Sequence, residues 1–145
     1  MTTNPLIRVA LIGAGRIGSN HAALIARDIP NAELIAIADP VEGAAAKLAE
    51  SLGVEQSYTD IAALLARPDL DAVVITAPPR FHTALVEQAA AAGKAIFCEK
   101  PTGVSLEELR RVEAAVERHG VVFQVGFNRR YANGFPELRS ALDAA

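Results

Sequence analysis

Three glycines at the end of an apolar run could bind a phosphate group. The run Val9 to Ile12 leads into Gly13-Ala14-Gly15-Arg16-Ile17-Gly18 and then into a stretch with helical spacing. In this G-x-G-x-x-G pattern Gly13 makes a tight turn, Gly15 lets a pyrophosphate approach the backbone, and Gly18 lets the helix pack on the strand. The start of a helix also attracts anions. The pattern predicts a dinucleotide-binding turn, and the alternative is a glycine turn that binds nothing.

An acidic residue follows at the distance that ribose recognition requires. The strand-like run Leu34 to Ala38 ends at Asp39, about 20 residues beyond the glycine turn. A carboxylate there accepts hydrogen bonds from both ribose hydroxyls and repels a 2′-phosphate, so we expect NAD rather than NADP as the cofactor. Arg16, inside the glycine turn, is a nearby cation that weakens this preference. The alternative role for Asp39 is that of a helix N-cap.

A lysine between Glu99 and Pro101 could take part in proton chemistry. It follows the strand-like run Ala95 to Cys98, which puts Lys100 at the mouth of a ligand cleft. There it could hydrogen-bond to a substrate hydroxyl or polarise it. The alternative is a solvated lysine paired with Glu99. Cys98 is expected to be a buried strand residue rather than a nucleophile, because the sequence places no histidine to activate it.

The end of the preceding strand supplies further candidates in Thr76-Ala77-Pro78-Pro79-Arg80-Phe81-His82. Its two prolines keep the backbone extended where it would pass a nicotinamide ribose. We expect cofactor contacts here and at the next strand end, from Thr76, Ala77, Pro78, His82 and Glu99. For His82 the alternative is a bond to backbone at the helix start, and His21 is expected to be a packing residue.

These candidates need a scaffold, and apolar strands alternate strictly with helical stretches along the chain. Strands are predicted at 8–12, 33–38, 56–58, 71–76, 95–98 and 121–127, and helices at 16–27, 41–52, 61–66, 81–92, 105–119 and 135–144. Such alternation implies an α/β fold with a doubly wound parallel sheet (Rossmann) of strand order 3-2-1-4-5-6. Ligands then lie at the carboxyl ends of the strands, where all the candidate residues would meet.

Length, composition and charge argue against several classes of protein. The chain has 145 residues, enough for one domain with a full core. A net charge of −3 and a pI near 5.6 argue against nucleic acid as a partner. No run of 18 apolar residues and no signal-peptide pattern at Met1 to Pro5 occur, so we expect a cytoplasmic protein without a membrane partner. One cysteine and three scattered histidines predict neither a disulfide nor a metal site.

Together these segments resemble the Gfo/Idh/MocA family of NAD(P)-dependent oxidoreductases. The resemblance rests on the glycine turn with Asn20-His21-Ala22, on Asp39, on Thr76 to His82 and above all on Glu99-Lys100-Pro101. The segment Gln124 to Tyr131 is similar to the end of the nucleotide domain in the inositol dehydrogenase-like branch. The family usually carries asparagine where this chain has Pro79, so the side-chain amide expected at that position is missing.

The resemblance implies roles for residues and for segments. Lys100 would be an active-site lysine that touches the substrate and the nicotinamide ribose, and NAD would be held by Gly13, Ala14, Gly15, Arg16, Ile17 and Asp39. Residues 1–131 would form a dinucleotide-binding domain, and 132–145 would start the helix into a substrate domain that this chain lacks and that supplies a catalytic histidine. A homo-oligomer is expected for the full-length protein. Arg129 and Arg130 would face substrate or form surface salt bridges, and both options stay open.

Two functions from different classes follow. The first is the cofactor domain of a dehydrogenase that moves hydride between NAD and a polyol or sugar-like secondary alcohol, with Lys100 orienting the hydroxyl. The second is a non-catalytic dinucleotide-binding module, such as a redox sensor. The lysine favours the first function, and the missing substrate domain favours the second for this chain alone.

Overall fold

Six parallel strands form the sheet that positions the candidate residues. The structure is a computed structural model that describes residues 5–144, so Met1 to Asn4 and Ala145 lie outside the described residues. The strands are β1 Ile7–Ile12, β2 Ala32–Ala38, β3 Gln56–Tyr58, β4 Ala72–Ile75, β5 Ala95–Cys98 and β6 Phe123–Val125. Their order in the sheet is β3-β2-β1-β4-β5-β6, which confirms the predicted doubly wound topology.

Helices cover both faces of this sheet. They are α1 Arg16–Asp28, α2 Ala44–Leu52, α3 Ile61–Leu65, α4 His82–Ala91, α5 Leu106–His119 and α6 Phe135–Asp143. Along β1, Val9 and Leu11 pack with α1 and α2, whereas Ala10 and Ile12 pack with α3, α4 and α5. Because successive strand residues point to opposite faces, each central strand must be apolar throughout, as the uninterrupted run Val73 to Ile75 predicts.

Polar side chains cap two helix starts as predicted. Asp60 Oδ1 accepts a hydrogen bond from the Ala62 N–H at 2.8 Å and caps α3. Ser105 Oγ accepts the Glu108 N–H at 3.1 Å and caps α5. The Glu108 carboxylate returns to the N–H of Val104 rather than to that of Ser105, so the capping box closes one residue early.

Some element bounds differ from the sequence-based expectation. Helix α2 begins three residues late, at Ala44, because the Val41 N–H donates to Asp39 Oδ1 and Gly43 occupies the N-cap with φ +77°. A 3₁₀ turn at Pro79–Phe81 precedes α4, which begins at His82, one residue later than expected. Strand β6 is shorter than expected at both ends, and its carboxyl end stops early because the Phe127 N–H turns back to the Val125 carbonyl. Among residues 5–144, no helix combines the length and apolarity that a membrane crossing requires.

Candidate functional site

The glycine turn connects β1 to α1 and leaves one of its glycines facing open space. Gly13 has φ +105°, and a Cβ there would lie 2.7 Å from the Ala77 backbone nitrogen. A Cβ on Gly18 would lie 1.9 Å from the Gly13 carbonyl oxygen. By contrast, no described atom lies within 4 Å of a Cβ on Gly15, whose φ is −74°. Packing therefore explains Gly13 and Gly18, whereas Gly15 leaves room beside the backbone for a ligand.

The start of α1 has the electrostatics of an anion site. Gly15 is the N-cap, and among the described residues no side chain caps this end and no acidic residue lies in the first turn. Arg16 and Ile17, the first two residues of α1, are exposed. The N–H groups and positive partial charge of this helix start are therefore available to a phosphate.

Asp39 holds the glycine turn in place at the end of β2. Its Oδ2 accepts the Ala14 N–H at 2.7 Å and its Oδ1 accepts the Val41 N–H at 2.8 Å. The alternative role as the N-cap of α2 is wrong, since Gly43 occupies that position. Each carboxylate oxygen keeps a further lone pair, so Asp39 can still accept hydrogen bonds from ribose hydroxyls.

Thr76, at the end of β4, also contacts the glycine turn. Its hydroxyl donates to the Gly13 carbonyl at 2.8 Å, with the Ile12 carbonyl at 3.2 Å. The backbone of Ala77 lies against Gly13, and Pro78 is exposed at the start of the 3₁₀ turn. The hydroxyl proton of Thr76 is thus already used, and this residue fixes the glycine turn from the β4 side.

The structure replaces the expected cofactor contact of the His82 side chain with its alternative, bonding to backbone. The residue is 1% exposed. Its Nδ1 lies 2.7 Å from the Pro101 carbonyl oxygen and its Nε2 lies 2.6 Å from the Ala77 carbonyl oxygen. Both ring nitrogens are therefore engaged inside the protein, and His82 joins the loop after β4 to the loop after β5.

Lys100 lies in a turn after β5 that we call the lysine turn, residues Glu99–Thr102. Glu99 Oε1 accepts a hydrogen bond from His21 Nε2 at 2.9 Å, and its Oε2 accepts the backbone N–H of Lys100 at 3.2 Å. Among the described residues no ion pair joins the Lys100 ammonium to Glu99, so the paired-lysine alternative is not observed. The Lys100 side chain is exposed at the edge of the sheet.

The role of His21 was missed by the sequence interpretation, which made it a packing residue. Its ring packs at 5.4 Å, centroid to centroid, against Phe97, and its Nε2 binds Glu99, 78 residues away. A signal was available, because His21 lies three residues after Gly18, on the face of α1 that approaches the sheet.

The Cys98 thiol is buried and poorly nucleophilic. Burial, followed by the negative charge of Glu99, raises the pKa of its thiol to about 12. The thiol is therefore protonated at neutral pH, which agrees with the prediction of a buried strand residue rather than a nucleophile.

A cationic cleft opens beside the lysine turn. It has a volume of about 660 Å³ and is lined by Lys100, Phe127, Asn128, Arg129, Arg130 and Phe135. The Arg130 guanidinium carbon lies 5.8 Å from the centroid of the Phe127 ring. Within residues 5–144 neither arginine forms an ion pair, so the geometry favours the cleft over the surface salt bridge for this pair. Three cations and an amide line a space suited to a polar, hydroxyl-rich or anionic molecule.

Comparison with known proteins connects this site to one group of enzymes. The model of the Gfo/Idh/MocA oxidoreductase family, NAD-binding Rossmann fold, matches residues 7–127. The chain is 38% identical over 138 residues to scyllo-inositol 2-dehydrogenase (NAD(+)) of Bacillus subtilis (strain 168), covering 95% of the chain and 40% of that protein. It is 42% identical over 137 residues to inositol 2-dehydrogenase of Rhizobium meliloti (strain 1021), covering 94% and 41%.

Solved structures agree with the sequence relatives. Scyllo-inositol dehydrogenase from Lactobacillus casei, with bound NAD(H) and scyllo-inositol, superposes with a TM-score of 0.90 at 33% identity. The match covers 96% of this chain and 41% of that one. The chain thus spans about two fifths of the length of the curated relatives it matches.

Proposed function

The chain belongs to the Gfo/Idh/MocA oxidoreductase family as an NAD-binding Rossmann domain, and we propose that it serves a dehydrogenase of polyols such as inositol. Hydride transfer from a secondary alcohol carbon to NAD is the reaction class. The observation that carries the proposal is the glycine turn, in which packing requires Gly13 and Gly18 but leaves the space beside Gly15 open.

The residues present fit NAD. The open side of Gly15 and the uncapped start of α1 suit a pyrophosphate, and Asp39 suits the adenosine ribose. When bound, NAD supplies the acceptor for the hydride. In a doubly wound fold the dinucleotide crosses from one half of the sheet to the other, so its nicotinamide half belongs near the ends of β4 and β5. That is the half of the sheet that carries Lys100.

Lys100 would orient the reacting alcohol. Its ammonium donates hydrogen bonds to a hydroxyl oxygen and favours negative charge that develops there as the proton leaves. Arg129 and Arg130 line the same cleft and could donate to the remaining hydroxyls of a polyol. The proton acceptor and much of the substrate pocket would come from residues beyond this chain, and the same proposal includes a cytoplasmic homo-oligomer for the whole protein.

Cofactor choice is tested by calorimetric titration of the chain with NAD and with NADP. We expect NAD to bind at least about tenfold more tightly, since a lost ribose contact and charge repulsion at Asp39 together exceed about 1.4 kcal/mol. Asp39→Asn, which removes the charge and keeps one acceptor, should reduce the preference. Equal affinities of the unaltered chain for both cofactors would contradict the assignment of Asp39 to the ribose.

Catalysis is tested by following NADH absorbance with scyllo-inositol and myo-inositol. The 145-residue chain should give no measurable turnover, whereas a gene product extended past Ala145 should reduce NAD. Loss of the proton acceptor alone lowers a rate by about 10²- to 10⁴-fold, and loss of substrate positioning lowers it further. Turnover by the short chain near that of the long one would mean that the active site is complete within these residues.

A further inference from the structure

Two histidines reach the lysine turn from two different helices. His21 comes from α1, the helix that follows the glycine turn, and its Nε2 lies 2.9 Å from Glu99 Oε1. An ionised carboxylate only accepts hydrogen bonds, so Nε2 carries the proton. The two side chains are 25% and 17% exposed, which shields the bond from water far more than at an open surface. This bond links the end of β5 to the helix that starts at the proposed phosphate site.

The Glu99 carboxylate connects His21 to the backbone of Lys100. While Oε1 is bound by His21, Oε2 accepts the backbone N–H of Lys100 at 3.2 Å. Gly126 lies beside the carboxylate, since a Cβ there would be 3.3 Å from Glu99 Cδ, and the absence of that Cβ leaves Glu99 the space to reach both partners. The orientation of the Lys100 peptide therefore depends on the carboxylate, and the carboxylate depends on His21.

The second histidine holds the other end of the lysine turn. His82, at the start of α4, bonds the carbonyls of Pro101 and Ala77 at 2.7 and 2.6 Å. Both ring nitrogens thus lie within hydrogen-bond distance of a backbone carbonyl oxygen. The next residue, Thr83, donates its hydroxyl to the Thr102 carbonyl at 3.4 Å. The turn is thus tied to the loop after β4 as well.

We propose that His21 and His82 are positioning residues for Lys100, each acting through the lysine turn rather than by touching the cofactor or the substrate. The Lys100 side chain is exposed, and a lysine side chain has many rotamers. A fixed backbone limits where its ammonium can reach, which lowers the entropy lost when it meets a ligand. The proposal rests on the proposed function, in which Lys100 lies beside the nicotinamide ribose.

The experiment compares a ligand that fills one half of the proposed site with a ligand that fills both halves. ADP occupies the adenosine and pyrophosphate positions, and NAD adds the nicotinamide riboside. We measure both dissociation constants by calorimetry for the chain, for Lys100→Ala and for His21→Leu. The expected result for His21→Leu is an NAD affinity at least about fivefold lower with an ADP affinity unchanged within about twofold, as for Lys100→Ala.

Additivity separates a positioning role from a general loss of stability. If His21 acts through Lys100, the double variant should lose little more NAD affinity than either single variant. His21→Gln, which keeps an N–H donor, should recover most of the NAD affinity. His119→Leu is the matched control, because this third histidine lies at the exposed end of α5, and it should change neither constant.

His82 is tested by the same two titrations with a folding check. His82→Leu leaves two backbone carbonyls without their partner, and a thermal scan shows whether the variant folds. His82→Gln retains an amide with two N–H groups and, like His21→Gln, should keep most of the NAD affinity. We expect a folded His82→Leu variant to lose NAD affinity and to keep ADP affinity.

The outcomes also distinguish failure of this inference from failure of the proposed function. If Lys100→Ala weakens NAD binding but His21→Leu and a folded His82→Leu do not, or if the leucine variants weaken NAD and ADP binding equally, the positioning role is overturned and the proposed function stands. Full additivity of His21→Leu and Lys100→Ala likewise overturns it. If the unaltered chain binds NAD no more tightly than ADP and Lys100→Ala changes neither constant, the placement of Lys100 is wrong and both proposals fall.

Discussion

Substitution of Gly15 should separate ligand binding from folding in this chain. The backbone at Gly15 has φ −74° and ψ −173°, which any L-residue adopts, and no described atom lies within 4 Å of its Cβ position. Gly15→Val should therefore change the free energy of unfolding by less than about 1 kcal/mol, with a small gain because the unfolded chain loses freedom. The Tm without ligand should stay within roughly 4 °C.

The same substitution should remove most of the affinity for NAD. Its side chain would enter the space beside the start of α1, where the pyrophosphate is proposed to lie. Each hydrogen bond between an ionised group and an N–H contributes about 1.5–3 kcal/mol, so losing one or two costs about 3 kcal/mol. That corresponds to an affinity loss of roughly 150-fold.

Gly18→Ala is the matched variant with the opposite expectation. Its Cβ would lie 1.9 Å from the Gly13 carbonyl oxygen and 2.8 Å from Thr76 Oγ1, so the backbone of the turn must shift. Overpacking of this kind costs about 1–3 kcal/mol and should lower the Tm by roughly 4 to 12 °C.

Scanning calorimetry without ligand and NAD titration at one salt concentration together test this reasoning. If Gly15→Val binds NAD within about fivefold of the unaltered chain, the phosphates lie elsewhere. If it lowers the Tm as much as Gly18→Ala does, the fold itself needs the glycine, and the space beside it is no indication of a ligand.

Two further outcomes depend on titrating groups. The Arg8 side chain and backbone N–H lower the pKa of Asp71 from 3.8 to about 2, so this carboxylate stabilises the fold above about pH 4 and loses that effect as the pH falls towards 2. The free energy of unfolding should therefore change less between about pH 4 and pH 2 in Asp71→Asn than in the unaltered chain. Identical pH dependence in the two proteins would contradict the pairing of Asp71 with Arg8. Because burial raises the pKa of Cys98 to about 12, iodoacetamide at pH 8 should alkylate it only in urea, and rapid native labelling would show that β5 opens.

Much of the fold was predictable because its signals are local. Apolar runs separated by helical stretches set the order of the elements, and parallel strands with right-handed crossovers then allow few arrangements. Asp60 and Ser105 mark helix starts through bonds to residues two or three positions away, which a sequence displays directly. The spacing of Gly13, Gly15 and Gly18 likewise predicted a turn whose packing the structure bears out at the first and third glycine.

Element ends were predicted less well, because they depend on competing bonds. The Asp39 carboxylate takes the Val41 N–H, which delays α2, and a turn at Phe127 ends β6 early. Neither effect has a periodic signature. A propensity pattern describes the middle of a helix or strand. Its ends depend on which of several competing acceptors bonds each backbone N–H in the folded structure.

The environment of Lys100 was decided by tertiary structure alone. Periodicity placed His21 and His82 on helices, but their partners in the lysine turn, Glu99 and Pro101, lie 78 and 19 residues away, in a loop whose path depends on how the strands pair. A buried ring nitrogen must find a hydrogen-bond partner, yet the sequence does not say which loop carbonyl or carboxylate the fold brings to it. The residue types at the site were therefore set by the sequence, and the bonds that hold the lysine turn arose only when separate loops met at one edge of the sheet.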